Sequence, residues 1–462
     1  MLQIYNTFTQ RKEEFKAIHP GKIHLYVCGI TVYDYCHIGH ARVFVSFDVI
    51  TRFLRASGWD VTYVRNITDI DDKIIKRALE NNEAITDLTE RFIQYMQEDE
   101  AKLNVIRPNQ EPRATHYMDK IISMVQAIQD NGLAYQAENG DVYFAVQKYK
   151  SYGELSHKNI DELMVGARVD VQEAKRSPLD FVLWKKSKAN EPSWASPWGD
   201  GRPGWHIECS AMSTDCLGDH FDIHGGGADL VFPHHENERA QSESATHKTF
   251  VNHWMHVGFV QVSKEKMSKS LGNFFTIREV LAQYDAEVVR YFLISSHYRS
   301  PVNYSLENLD QAKQSIGRLY TALKGLDLNK TSKHAALAKD NPWKEKFFQA
   351  MNDDFNTPQA LAVMFDLANK INIAKTENIA VANELANTLL FLGEILGILD
   401  KEVELFFKGD NPENDAIELL IAERIQARTE KNWAKADQIR KQLTEMGIAI
   451  EDSEKGSTWR KL

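Results

Sequence analysis

The sequence predicts an α/β fold with a parallel sheet, interrupted by an insertion and followed by helices. Three observations predict it. A strand, helix, strand succession occupies about 45 residues near the N-terminus, the length of a parallel crossover unit. The same strand-like patterning resumes after residue 200. Beyond Tyr304 the apolar spacing becomes helical.

Taken in order, Ile23-His24-Leu25-Tyr26-Val27 reads as a short buried strand, with a turn region at Cys28 to Thr31. A helix is expected from Gly39 to Ala56, because Val43, Phe47, Ile50 and Leu54 fall at helical spacing and Gly58 stands where a helix stops. Val61 to Val64 is strand-like and runs into the polar cluster Asn66-Ile67-Thr68-Asp69. Ligands of parallel sheets bind beyond the carboxyl ends of the strands, so Cys28 to His40 and Asn66 to Asp72 are expected to face one cleft. Residues 109–200 read as an insertion, mixing helix (Ile121 to Ile128), strand (Asp141 to Ala145) and a loop rich in Trp, Pro and Ser (Glu191 to Trp205). The parallel pattern returns at Phe221 to His224 and Val251 to Val262. A Rossmann-type catalytic domain split by the insertion explains this order, with halves at 1–108 and 201–260 and a connector at 261–304.

Ser305 is a candidate N-cap, after which Leu309, Ala312, Ile316, Leu319 and Leu323 recur every three or four residues. Helical segments around Gln359 to Asn372 and Ala380 to Leu399 complete a helix-bundle domain at 305–400. Lys401 to Asn414 reads as a linker. Asp415 to Met446 reads as a final helical stretch with a short tail, making a small C-terminal domain at 415–462.

Composition narrows the function classes. The 462 residues are 43% hydrophobic, which suits a globular chain with substantial cores. No signal peptide is visible, and no apolar run approaches the roughly 20 residues of a membrane span; a cytoplasmic protein without membrane contact is expected. Four cysteines (Cys28, Cys36, Cys209 and Cys216) are too few for a disulfide scaffold. The net charge of −10 excludes a generally basic nucleic-acid coat. It leaves a local RNA contact open, since residues 421–462 carry nine Lys/Arg against seven Asp/Glu.

His37-Ile38-Gly39-His40 falls between the first strand and its helix. A helix start offers free N–H groups to phosphate, two histidines add donors, and Gly39 leaves room for a base or ribose. Lys266-Met267-Ser268-Lys269-Ser270 follows a strand about 225 residues later and is expected to form a mobile cationic loop suited to a triphosphate losing pyrophosphate. Either run alone also suits a solvated helix start or a surface charge cluster. Together, in this order, they resemble the signature pair of class I aminoacyl-tRNA synthetases. The resemblance implies that His37, His40, Lys266 and Lys269 stabilise the transition state of adenylate formation while the amino-acid carboxylate attacks the α-phosphate.

His234 and Glu238 are four residues apart, hence on one face of a helix. With Cys28 and Cys209 they would make a reasonable tetrahedral zinc site, although buried structural thiols are the simpler reading of these two cysteines. Tyr26 to Asp34, Arg65 to Lys73, Gly204 to Ser210 and Asp222 to Gly227 resemble segments of the cysteinyl-tRNA synthetase family, and the resemblance runs over the whole chain. It implies one zinc per subunit on Cys28, Cys209, His234 and Glu238, magnesium carried by ATP, and L-cysteine and tRNA(Cys) as substrates. Trp205 would close the amino-acid pocket, with Gly29, Thr31 and Thr68 contacting the amino-acid backbone or adenylate. His224, Gly225, Gly227 and Asp229, with Gly39 and Lys269, would hold ATP. At the RNA end the resemblance assigns anticodon contacts to Arg428, Asp437, Trp459 and Arg460, whereas Trp433 suits helix packing. Cys36 and Cys216 read as packed thiols, His235, His253 and His256 as hydrogen-bonded neighbours of the site, and one or two of Asp69, Asp71 and Asp72 as helix-capping acids. The nearest rival is a ligase that joins cysteinyl adenylate to a small amino sugar; the C-terminal segment argues against it. With no long exposed apolar heptad, a monomer is expected.

Overall fold

The computed structural model describes residues 1–159, 174–189, 191–262, 265–266, 274–328, 340–408, 414–453 and 456–461. Its central sheet has four parallel strands, β1 (Lys22–Thr31), β2 (Asp60–Thr68), β3 (Phe221–Gly227) and β4 (Val251–Val257), in the order β4-β3-β1-β2. Ile23, Leu25, Tyr26 and Val27 are fully buried, as a central parallel strand covered on both faces requires. Helix α1 (Ile38–Ala56) connects β1 to β2 and buries Phe47, Val49, Ile50, Phe53 and Leu54. All four carboxyl ends therefore lie along one edge.

Two strands outrun their sequence patterns. β2 continues through Asn66, Ile67 and Thr68, all buried, and pairs Ile67 and Thr68 with Ile30 and Thr31. β3 includes Gly225 to Gly227, paired with Met255 to Val257. The expected single strand from Val251 to Val262 is broken: β4 ends at Val257, and Val260–Val262 joins a separate three-stranded sheet with Glu265–Lys266 and Val302–Tyr304. In the inserted region, helix Met118–Asp130 is followed by an antiparallel sheet of Ala134–Gln136, Val142–Phe144, Phe181–Lys186 and Gly201–Pro203. Only one of its strands carries a clear sequence pattern. Helix α2 (Trp205–Leu217), invisible to apolar periodicity because it is buried almost all round, packs against β1, β2 and helix α3 (Glu236–Thr246).

The chain divides into two compact units: 1–312 with 345–361 and 395–397, and 313–344 with 362–394 and 398–462. The second holds the larger parts of helices Leu306–Leu323, Thr357–Glu377 and Ile379–Leu396. Ser305 does cap the first of these, accepting from Asn308 N–H at 3.1 Å. Ile379–Leu396 is apolar and long enough to cross a membrane by length and composition. Ala382, Ala386, Leu389 and Leu392 along it are buried, as in a bundle helix.

The expected linker contains a helix, Val403–Lys408. The expected single final helix is two, Asn414–Thr429 and Trp433–Glu445, and the tail is a β-hairpin of Ile448–Ser453 and Gly456–Lys461. Ile417, Ile421, Ile439, Leu443, Ile448 and Trp459 form the core that this hairpin closes.

Candidate active site

Cys28 enters the site through a defect in the sheet. Between Val27↔Arg65 and Ile30↔Ile67 the β1–β2 register slips, so Cys28 and Gly29 oppose the single residue Asn66. Such bulges re-aim a side chain next to a site. Gly29 is required there, since a Cβ would sit 1.8 Å from the Asn66 carbonyl oxygen, and its N–H donates to Asn66 Oδ1 at 2.8 Å. One row further back, Tyr26, His224 and Trp254 stand side by side on three strands, and the His224 ring stacks on Trp254 with centroids 4.6 Å apart.

Over this edge α2 supplies Cys209, a π-turn (Val231–His235) supplies His234, and α3 supplies Glu238. The donor atoms of Cys28, Cys209, His234 and Glu238 all lie within 4.8 Å of one another, and all four residues are buried. Glu238 Oε1 is 3.1 Å from Cys28 Sγ and 2.9 Å from His234 Nε2, while Oε2 is 2.9 Å from His224 Nε2. Two thiols, an imidazole and a carboxylate drawn together fit a tetrahedral metal centre. An overlapping set, Cys28, His224, His235 and Glu238, is equally compact.

The four groups set one another's ionisation. Burial would raise the Glu238 carboxyl, but His224 and His234 hold it well below the usual range. Burial would lower His234, yet Glu238 and Cys209 bring it up to about 10. Burial, with Cys209 and Glu238 beside it, pushes the Cys28 thiol up. Cys209 goes the other way: burial opposes ionisation, but hydrogen bonding to Cys28 and His234 and the charge on His234 outweigh it. Behind them His235 Nδ1 meets His256 Nε2 at 2.8 Å, and His256 Nδ1 meets Thr7 Oγ1 at 2.7 Å.

The histidine pair occupies the start of α1. His37 is its N-cap, His37 Nδ1 accepting from His40 N–H and His40 Nδ1 accepting from His37 N–H, with the rings stacked 3.6 Å apart. The segment that follows the lysine-rich run returns alongside: Ile38 N–H donates to the Phe275 carbonyl, Ile277 N–H donates to the Cys36 carbonyl, and the Phe274 ring meets His37 edge-on at 5.1 Å. Lys266 ends the two-residue strand Glu265–Lys266 and is described by its backbone alone. Met267 to Ser270, with Lys269, lie outside the described residues.

The other candidate positions distribute as follows. Trp205 is 38% exposed at the start of α2 and its ring lies 4.2 Å from His234, at the mouth of the four-donor cluster. Thr68 is buried and donates to Glu208 Oε2 at 3.1 Å; Thr31 is half-buried at the end of β1. Burial pushes the Glu208 carboxyl well up, and Cys209 and Asp69 push it further. His224 is fully buried and engages Glu238 rather than open space. Gly225 makes room for protein rather than nucleotide, because a Cβ there would lie 2.2 Å from Phe47 Cζ. Gly39, half-buried in the first turn of α1, and Gly227 and exposed Asp229 stay at the rim. Asp71 caps the helix Asp72–Asn81, Asp69 accepts from Thr115, and Asp72 pairs with Arg202 and Lys185. Cys36 is buried and Cys216 packs beside Tyr117.

At the C-terminal end, Trp459 is buried and its indole N–H donates to Glu418 at 2.8 Å, so its ring has no open face for a base. Its expected stacking role gives way to a core role, because hairpin pairing turns it inward. Trp433, expected to pack, is 59% exposed. Arg428 is exposed and pairs with Asp452 at 2.8 Å, Asp437 is exposed, and Arg460 is described by its backbone alone. Sequence reasoning placed Asn66 at the cleft without a role and missed Glu208. The signal for each was position, Asn66 facing the bulge and Glu208 beside a thiol, and Glu208 lies in a segment quoted only for its resemblance.

A parallel sheet with a compact donor cluster and a histidine-capped first helix at its carboxyl edge defines a class I aminoacyl-tRNA synthetase catalytic domain. Residues 14–314 match the family model for the tRNA synthetases class I (C) catalytic domain, 346–400 the DALR domain, and 413–460 the cysteinyl-tRNA ligase anticodon binding domain. The chain belongs to the cysteine–tRNA ligase family. It is 59% identical to the cysteine–tRNA ligase of Hydrogenovibrio crunogenus and 58% identical to those of Vibrio parahaemolyticus and Methylococcus capsulatus, in each case over 100% of both chains. Among solved structures it shares its fold with Mycobacterium tuberculosis methionyl-tRNA synthetase in complex with methionyl-adenylate (TM-score 0.56, 16% identity, 87% of this chain and 93% of that one). A second likeness is to an Agrobacterium radiobacter LeuRS in a ternary complex with tRNA (TM-score 0.55, 11% identity, 83% and 84%).

Proposed function

We propose that this chain activates L-cysteine with ATP to cysteinyl adenylate and pyrophosphate, then transfers the cysteinyl group to tRNA(Cys) with release of AMP. The observation that carries the proposal is the buried convergence of Cys28, Cys209, His234 and Glu238 within 4.8 Å. Zinc held by these four would supply a Lewis acid that takes a thiolate far more readily than a neutral alkanol. That preference matters because an apolar pocket separates near-isosteres such as cysteine and serine by only about 1–3 kcal/mol.

The protein's own groups do the rest. Trp205 covers the mouth of the donor cluster and excludes bulkier side chains. Gly29, Thr31 and Thr68, at the ends of β1 and β2, hold the backbone of the amino acid so that its carboxylate reaches the α-phosphate. No covalent enzyme intermediate is needed: the carboxylate oxygen forms the new bond to phosphorus as the bond to the pyrophosphate oxygen breaks. His37 and His40, with Lys266 and Lys269, donate to phosphate oxygens as charge develops there. Gly39, Gly227 and Asp229 flank ATP at the rim, with His224 and Gly225 acting from beneath. Magnesium travels with the triphosphate. Arg428, Asp437 and Arg460, together with exposed Trp433, form the anticodon side. The enzyme works in the cytosol as a monomer.

Pyrophosphate exchange with purified zinc-loaded protein tests the first step. Exchange that depends on cysteine and is not supported by serine is expected; no cysteine-dependent exchange would overturn the reading. Charging of a tRNA(Cys) transcript, against one altered in the anticodon and against a small amino sugar as acceptor, tests the second. Efficient transfer to the unaltered transcript alone is expected.

A further inference from the structure

The Glu208 carboxyl is fully buried, accepts from Thr68 Oγ1 at 3.1 Å through Oε2, and leaves Oε1 without a hydrogen-bond partner among the described residues. A buried carboxyl oxygen left without a partner is costly, and Glu208 sits in the first turn of α2. The same hydrogen bond closes a polar string. Gly29 N–H donates to Asn66 Oδ1 at 2.8 Å, Asn66 Nδ2 donates to Thr68 Oγ1 at 3.3 Å, and Thr68 donates to Glu208. Gly29 follows Cys28 and Glu208 precedes Cys209, so the string begins and ends beside the two thiols of the donor cluster.

We propose that Glu208 is a positioning residue for the α-ammonium group of the substrate. A threonine hydroxyl has one proton and two lone pairs. Here the proton goes to Glu208 and one lone pair receives Asn66, so the hydroxyl can only accept through what remains. An ammonium group, which can only donate, suits it, and the carboxyl behind it fixes the hydroxyl in that orientation. The inference rests on the cysteine reading above: a substrate held by sulfur beside Cys28 and Cys209 carries its amino group two carbons away, and Thr68 is tied through Glu208 to the residue next to Cys209. Thr68 touches the substrate, and Glu208 acts by fixing its hydroxyl.

The test uses the zinc-loaded full chain and three thiols: L-cysteine, cysteamine, which keeps the amine but lacks the carboxylate, and 3-mercaptopropionate, which lacks the amine. Glu208→Leu, which removes the acceptor for Thr68, is expected to weaken cysteine and cysteamine by about tenfold or more. Binding of 3-mercaptopropionate, KM for ATP and zinc content should stay unchanged. Thr68→Val, which leaves the carboxyl in place, is expected to show the same split and decides the matter should Glu208→Leu not fold. Equal weakening of all three thiols, loss of zinc, or unchanged cysteine affinity would overturn the proposal. If the wild-type protein binds none of the thiols, the cysteine reading itself fails, and this inference with it.

Discussion

Cys28 Sγ lies 3.1 Å from Glu238 Oε1 although 210 residues separate the two in the chain. The contact joins the end of the first parallel strand to a helix that follows the third, so it exists only when the split sheet has closed. Cys209 and His234 complete the cluster from α2 and the turn before α3. A site assembled this way couples metal affinity to the integrity of the whole catalytic domain.

His224 holds the second oxygen of Glu238, and outer-shell partners of metal ligands are typically worth about 10–100-fold in metal affinity. His224→Ala is therefore expected to lower zinc affinity by about that factor and to raise KM for cysteine more than KM for ATP. Competition with a chromogenic chelator measures the first. A loss confined to ATP binding would instead place the His224 ring on the nucleotide.

Gly225 faces Phe47 Cζ at a distance that excludes a methyl group. Gly225→Ala is expected to cost about 1–3 kcal/mol through overpacking, read as a lowered melting temperature, with Phe47→Leu in the same chain restoring part of it. A stable Gly225→Ala protein with raised KM for ATP would mean that the glycine serves the nucleotide directly.

The two C-terminal tryptophans should separate cleanly. Trp459→Ala removes a core ring, and such truncations cost about 3–5 kcal/mol; loss of the final helices and hairpin is expected in hydrogen exchange, with tRNA charging lost and pyrophosphate exchange kept. Trp433→Ala should leave stability unchanged and weaken tRNA binding by the equivalent of one stacked base, about 1–3 kcal/mol. Equal melting behaviour of the two variants would contradict this division.

Asp99 gives a pH signature of its own. Burial lifts its carboxyl to about 6, against the pull of Arg278. The folded protein thus holds this proton more tightly than the unfolded chain, so stability is lost as pH rises from about 4 through about 6. Asp99→Asn lacks that loss. Relative to wild type it is expected to be more stable at pH 7 than at pH 4, by on the order of 1 kcal/mol after solvent screening. Parallel denaturation midpoints across this range would contradict the assignment.

Much of this was legible in the sequence. Alternation and helical spacing located β1, α1, β2 and β3, and the four-residue interval between His234 and Glu238 put both on one face. What periodicity could not report is tertiary. The β1 bulge at Cys28 and Gly29 depends on pairing with Asn66, and α2 is buried almost all round and so carries no amphipathic stripe. The role of Gly225 depends on Phe47 from another element. The C-terminal hairpin was missed because its strands are short and polar, and that omission misplaced Trp459, whose inward direction only the pairing with Ile450 determines.

The central claim is that the Cys28, Cys209, His234 and Glu238 cluster selects cysteine through a bound metal. Calorimetric titration of L-cysteine into zinc-loaded and chelator-stripped protein, with L-serine as the control, tests it most directly. The account predicts one zinc per chain, tight cysteine binding that disappears on stripping and returns with zinc, and no serine binding in either state. Cysteine binding of equal strength with and without the metal would contradict it.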